Sequence, residues 1–234
     1  MVKFLVLQKV KNKKYRSIVF REKYRYSNKI EKTKYISKKK SLLIFGLDTS
    51  GKTKELNKIY KNKEKIFSNL HKHSTIYINS TDSIAEMIFK NIDDTDIKNY
   101  LLSLDDEKQI EAERNINKQF FKVEVLKHKA KNSFLFIDDI DKFQGKKLEI
   151  LKTLVKNCKK LYATSKDEKS INKTVFQILE KKGFDSINLK TTNSFDATNY
   201  VLIAMMVPFA ATGNYMAVII LLIINRYLDK GLGK

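Results

Sequence analysis

Apolar residues along this chain fall into short unbroken runs, set between longer stretches in which they recur every three or four positions. Runs of the first kind read as strands and stretches of the second kind as amphipathic helices. From Ser41 onward the two alternate. Strands are predicted at Leu42–Phe45, Thr75–Asn79, Phe134–Ile137 and Leu161–Thr164, with a weaker fifth at Ser186–Leu189. Helices are predicted after Lys52, from a Ser83…Glu86 capping box, and over roughly Lys146–Lys156. A longer one is predicted from about Glu107 to Lys129, with Ile110, Ile116, Phe120, Val123 and Leu126 on one side. This alternation predicts an α/β fold with a mainly parallel sheet flanked by helices. The segment around Asp93–Lys131 reads as a helical insertion.

The two ends of the chain break the pattern. Residues 1–40 carry fifteen Lys and Arg against two acids, Glu22 and Glu31. Within them Val2–Leu7 and Tyr15–Arg21 read as strands joined by the polar turn Lys11–Lys14, a basic β-hairpin. The apolar stretch is too short, and too closely followed by cations, for a secretory signal. At the other end, the 29 residues between Asp196 and Arg226 contain no Asp, Glu, Lys or Arg. A helix needs about 20 residues to cross the hydrocarbon core. The stretch 197–225 therefore fits one transmembrane span. Pro208 and Thr212-Gly213-Asn214 also allow a re-entrant hairpin of two short helices. The tail Arg226–Lys234, with three cations and one acid, favours the cytoplasmic side by the positive-inside rule, which the hairpin satisfies and a single span does not. The expected division is a basic arm at 1–40, an α/β domain at 41–195, and a membrane anchor with a short tail at 196–234.

Chemistry enters with Gly46-Leu47-Asp48-Thr49-Ser50-Gly51-Lys52-Thr53, which matches G-x-x-x-x-G-K-[ST] between a strand and a helix. Glycines let a tight loop aim successive N–H groups at phosphates, and a following helix N-terminus favours anions. The spacing thus points to nucleotide binding by Gly46, Asp48, Thr49, Ser50, Gly51, Lys52 and Thr53. Lys52 would face the β- and γ-phosphates, and the Thr53 hydroxyl would ligate Mg²⁺. The run Phe134–Ile137 then delivers Asp138 and Asp139 to the carboxyl end of a strand, where open α/β sheets bind ligands. Asp138 is the expected metal partner and Asp139 the expected general base. Asp141 is expected to have a structural or helix-capping role. A hydroxyl at Thr164 or Ser165 would hold the attacking water or sense the terminal phosphate. This reading has Lys52 and Asp138 at the ends of two adjacent strands.

Composition narrows the partners. The chain is 42% hydrophobic and 31% charged, enough apolar material for a core, and its net charge is +21. One cysteine, Cys158, excludes an internal disulfide. Three histidines leave little for a zinc site. In the first 40 residues Phe4, Tyr15, Phe20, Tyr24, Tyr26 and Tyr35 are interleaved with the cations. That mixture suits nucleic acid, with cations on phosphates and aromatic faces on bases. It also suits anionic lipid head groups, or an apolar hairpin face packed on the rest of the protein.

The phosphate loop, a strand ending in Ile-Asp-Asp-Ile-Asp and an Ala-Thr-Ser strand end about 26 residues later together resemble the AAA+ ATPases. FIDDIDKFQGKK is similar to the same stretch of bacterial replication initiators and helicase loaders. The resemblance spans about Ser41–Lys190. It implies ATP and Mg²⁺ as cofactors, Lys52 and Thr53 at the phosphates and metal, Asp138 at the metal, Asp139 as base, and Thr164 or Ser165 as a first sensor. It further implies a homo-oligomer, or partner subunits that supply an arginine finger. The chain departs from the family in lacking the helical lid and its arginine: after Asp138 the sole arginine is Arg226. Lys169, Lys173 or Arg114 are the candidates to replace it within the chain. The resulting expectation is a membrane-anchored ATPase at the cytoplasmic face of an inner membrane, acting on nucleic acid or nucleoprotein. Two alternatives stand beside it: an assembly or export ATPase like those of filamentous phages, and a nucleotide-gated subunit that does not hydrolyse.

Overall fold

The computed structural model describes residues 2–9, 16–23, 30–37, 39–67 and 73–189, with 213 and 216 as isolated positions. The chain divides into two compact units, Met1–Thr191 and Thr192–Lys234. The expected anchor at 197–225 lies outside the described residues. Among the described residues no helix is long and apolar enough to cross a membrane.

The first unit holds two sheets. Strands β1 (Val2–Lys9), β2 (Arg16–Lys23) and β3 (Ile30–Ile36) form an antiparallel meander in that order. The basic arm is thus a three-stranded sheet rather than the expected hairpin. In β3 the charges Glu31, Lys32 and Lys34 interrupt any apolar run. An edge strand tolerates this because only part of it needs to face a core.

The second sheet contains β4 (Ser41–Phe45), β5 (Thr75–Asn79), β6 (Phe134–Asp138), β7 (Lys160–Ser165) and β8 (Phe184–Asn188). All pairings are parallel, and the order is β5-β6-β7-β4-β8. The five predicted strands are all present, with ends within two residues of expectation. The expected adjacency of the Lys52 and Asp138 strands is corrected, because β7 lies between β4 and β6. Pairing partners are set by long-range packing, which no local pattern encodes.

Side chains alternate between the two faces, and the inner strands β4, β6 and β7 are buried on both while the edge strands β5 and β8 are only partly covered. Leu43, Phe45, Ile76, Ile78, Leu135 and Ile137 enter one core, with α3 (Ile84–Asn91), α6 (Gln119–Ala130), α7 (Gly145–Asn157) and α8 (Lys173–Lys182) packed over it. Leu42, Ile44, Phe134, Phe136, Tyr162 and Ile187 enter the other, with Leu56 and Ile59 of α1 (Lys52–Lys61) and Ile66 of the single turn α2 (Lys63–Ile66). Leu5, Ile18, Phe20 and Ile36 of the small sheet complete this second core. Polar ties reinforce the junction. The Leu5 amide donates to Glu55 Oε2 at 3.1 Å, and Lys58 Nζ donates to the Leu5 carbonyl at 2.8 Å. The inward side of the arm therefore packs against the α/β layer.

The insertion contains α4 (Asp94–Leu101) and α5 (Asp106–Arg114) before α6. Helix α3 starts at the expected box: the Glu86 amide donates to Ser83 Oγ and the Ser83 amide to Glu86 Oε2. The single helix expected from Glu107 to Lys129 is instead broken between Arg114 and Gln119. The cause is Asn115, whose side-chain amide donates to the Glu111 carbonyl at 2.9 Å and so satisfies α5's last turn without a further helical residue. The break also resets the phase. Ile110 and Phe120 are exposed, and α6 buries Phe121, Val125, Leu126 and Ala130.

Candidate nucleotide site

The loop 46–51 leaves the carboxyl end of β4 and enters α1. Its fold is closed by short hydrogen bonds: the Gly46 amide donates to the Ser165 carbonyl on β7 at 3.0 Å, and both the amide and Oγ of Ser50 donate to the Leu47 carbonyl, at 3.0 and 2.7 Å. Two glycines are required by geometry. A Cβ on Gly46 would lie 2.1 Å from Ser50 Oγ and 3.0 Å from Ser50 Cβ. Gly51, at the N-cap of α1, has φ +78°, a left-handed conformation open to glycine without a steric penalty. Asp48 and Thr49 stand exposed at the crest.

Lys52 is the first residue of α1, and its side chain is 2% exposed. Its Nζ contacts three oxygens: the Gly46 carbonyl at 3.4 Å, Asp48 Oδ1 at 3.0 Å and Asp139 Oδ1 at 3.0 Å. Burial works against the ammonium, but Asp48 and Asp139 outweigh it and hold its pKa above the usual lysine value. Lys52 is thus a fixed cation under the loop.

Three side chains from three elements meet beside it. Thr53 Oγ1 on α1 donates to Asp138 Oδ1 on β6 at 3.1 Å, and Thr164 Oγ1 on β7 donates to the same oxygen at 2.6 Å. The Asp139 amide in turn donates to Thr164 Oγ1 at 2.7 Å. Asp138 and Thr164 are buried, so this relay is shielded from water. It explains how residues from non-adjacent strands converge: the intervening β7 supplies the bridge. The Thr53 hydroxyl and the Asp138 carboxylate form a hard-oxygen pair of the kind Mg²⁺ takes, with substrate and water completing the shell. Among the described residues no cluster of three or more His, Cys, Asp or Glu stands ready to hold a metal alone.

Asp139 has φ 54° and is, among the described residues, the one non-glycine with positive φ. The left-handed turn caps a single 3-10 turn, Ile140–Lys142. Asp141, for which a structural or helix-capping role is expected, lies inside this turn, and the N-cap of α7 is Gln144. The turn brings back a residue that sequence reasoning missed. Lys142 Nζ contacts Asp139 Oδ2 at 2.8 Å and Asp48 Oδ1 at 3.4 Å. The bond to Asp139 leads in raising the Lys142 pKa, and the Asp48 carboxyl is held low first by Lys52 and then by Lys142. The signal was present as an Asp139/Lys142 spacing of three. The expected replacements for an arginine, Arg114, Lys169 and Lys173, are exposed and make no hydrogen bond or ion pair to the loop.

A cleft of about 620 Å³ runs from the loop along α1, lined by Asp48, Gly51, Lys52 and Thr53 and then by Lys54, Asn57, Lys58 and Lys61; Asp138, Asp139, Lys142 and Thr164 lie outside its lining. Its positive rim suits an anionic ligand. All the residues expected at the phosphates and metal, together with Asp139 and Thr164, fall around one loop.

No protein-family model matches this sequence, and no curated protein matches it. Solved structures with some likeness include domain III of the Thermotoga maritima replication initiation protein DnaA, at 16% identity and TM-score 0.35, over 64% of this chain and 55% of that one. Drosophila ORC bound to DNA gives 14% identity and TM-score 0.33, over 68% of this chain and 85% of the other. Drosophila ORC bound to GC-rich DNA and Cdc6 gives 16% and 0.37, over 80% and 66%. This chain thus spans about half the length of the DnaA fragment. With TM-scores below 0.5, none of these likenesses bears on chemistry, and the α/β nucleotide-site reading rests on the chain's own sheet order and loop.

Proposed function

We propose that this chain is an AAA+-type ATPase that binds ATP with Mg²⁺ at the 46–53 loop and couples binding and hydrolysis to the handling of nucleic acid or nucleoprotein. The observation that carries the reading is the meeting of Lys52, Thr53 and Asp138 at the carboxyl end of one parallel sheet. Loop amides and Lys52 would bind the phosphates. Thr53 and Asp138 would hold Mg²⁺, which when bound supplies charge neutralisation at the phosphates. Asp139 would accept a proton from the attacking water as the bond from the γ-phosphorus to its bridging oxygen breaks, yielding ADP and phosphate. Thr164 would keep Asp138 and the Asp139 backbone in register.

The nucleic-acid part rests on the charge of residues 1–40. The packing of Phe20 into the second core shows that one arm aromatic serves the interior, while Tyr35 is exposed. The proposal includes anchoring through 197–225 at the cytoplasmic face of an inner membrane, supported by the uncharged 29-residue stretch. It also includes a homo-oligomer, or partner subunits that contribute an arginine.

Calorimetry with Mg·ATP and turnover assays with and without DNA test this reading. Expected are ATP binding lost in Lys52→Ala, and DNA-stimulated phosphate release lost in Asp139→Asn. Failure of the wild-type chain to bind any nucleotide would refute it. A second reading, nucleotide binding without turnover, is favoured by one observation: both Asp139 oxygens are engaged by lysines. Tight ATP binding with no phosphate release under any condition would select it.

A further inference from the structure

We infer that Lys142 is a ligand of the terminal phosphate supplied within the chain itself, in the place that an arginine from a neighbouring subunit or lid would otherwise fill. The inference rests on the nucleotide reading above and names a residue that reading does not use.

The starting point is a closed ring of charge. Lys52 and Lys142 reach the same two carboxylates, Asp139 through its separate oxygens and Asp48 through the same Oδ1 atom. Two cations thus face one another across the phosphate loop, held by two anions. A nucleotide triphosphate brings several negative charges to this spot. Asp48 sits on the exposed crest, while Asp139 is fixed by its backbone bond to Thr164. The Asp48 carboxylate is therefore the group a phosphate displaces, which leaves both ammonium groups to the incoming oxygens.

The two lysines then differ in reach. Lys52 lies deep, against the Gly46 carbonyl at the base of the loop. Lys142 approaches from the β6 side and contacts Asp139 Oδ2, one residue from Asp138, which with Thr53 would hold the metal. It is 48% exposed, on a turn whose direction is fixed by the left-handed backbone of Asp139. A cation there meets the last phosphate and not the first two. Lys52 and Lys142 are the lysines paired with Asp48 and Asp139, whereas Arg114, Lys169 and Lys173 are exposed.

The test compares ATP and ADP affinity, by calorimetry with Mg²⁺, for the wild type, Lys142→Met, Lys142→Arg and Lys52→Ala. A charge-assisted contact confined to the terminal phosphate predicts that Lys142→Met weakens ATP about 10- to 100-fold and leaves ADP unchanged. Lys142→Arg keeps the wild-type preference for ATP, and Lys52→Ala loses both nucleotides. Because Lys142 is half-exposed, thermal melting of Lys142→Met stays near that of the wild type, which separates a lost contact from a damaged fold. Equal weakening of ATP and ADP, or no change in either, overturns the assignment while the nucleotide reading stands. Absence of nucleotide binding by the wild type overturns both.

Discussion

Thr164 Oγ1 donates to Asp138 Oδ1 at 2.6 Å, and through this bond the ends of β7 and β6 act as one surface. The same hydroxyl accepts the Asp139 amide, so one buried side chain sets both the carboxylate beside Thr53 and the backbone turn that follows it. Its single proton is committed to Asp138, which makes Thr164 a positioning residue in this geometry.

Thr164→Val keeps the shape and removes the hydroxyl. The Asp139 amide is then left without its partner in a water-poor site, a loss of about 1–3 kcal/mol. A melting temperature lowered accordingly is expected, with ATP turnover reduced more than ATP binding. Thr164→Ser should restore both. Unaltered melting and turnover in the valine variant would contradict the relay.

Asp48→Asn removes the carboxylate that shares Lys52 and Lys142. Nucleotide binding no longer has to displace an anion, so ATP affinity should rise about tenfold, read by calorimetry. Lys52 first, and Lys142 after it, hold the Asp48 carboxyl below the usual carboxylate pKa. A lowered carboxylate pKa means the pairing is fully present above about pH 3.8 and fades only as pH falls through the lower folded value. The advantage of the asparagine variant should accordingly be constant across the neutral range.

The inner strands β4, β6 and β7 were legible because each carries a run of residues buried on both faces, the edge strands β5 and β8 were marked by fewer buried positions, and Ser83/Glu86 marked a helix start by its own chemistry. The site residues were legible for a similar reason: the glycines, Lys52 and Thr53 must be consecutive along one chain segment to work. What escaped was everything set across distance. β7 between β4 and β6, the packing of the arm onto α1, and the convergence of Lys142 with Asp48 depend on tertiary contacts. The third strand escaped because Glu31, Lys32 and Lys34 hide its few apolar positions.

Gly46→Ala would place a methyl 2.1 Å from Ser50 Oγ and 3.3 Å from Leu189 Cβ. The loop must shift, and with it the Gly46 amide bonded to Ser165. Loss of ATP binding is expected, with destabilisation of about 1–3 kcal/mol. Adding Ser50→Ala removes the closest clash and should recover part of the stability. Wild-type ATP affinity in Gly46→Ala would show that the loop does not depend on this close approach.

Cys158 is buried at the end of α7, and burial pushes its thiol pKa above the usual cysteine value, opposed by Lys182. A raised thiol pKa means little thiolate at neutral pH. Labelling by a maleimide at pH 7 should be slow in the folded protein and complete in denaturant. Rapid labelling without denaturant would place Cys158 at the surface.

The neighbours Phe120 and Phe121 decide the phase of α6. The longer helix read from sequence turned Phe120 toward the core, whereas the break at Asn115 leaves it 59% exposed and makes Phe121 4% exposed. Phe121 also stacks edge-on against Tyr100 of α4, with ring centroids 5.6 Å apart, which ties the inserted helices together. Phe121→Ala therefore removes a buried ring and should cost about 3–5 kcal/mol. Phe120→Ala removes a ring already in water and should stay within about 0.5 kcal/mol of the wild type. Chemical denaturation of the two variants reads the difference directly. If Phe120→Ala proved the costlier change, the helix would have to continue unbroken through Asn115, and the insertion would pack on its opposite side.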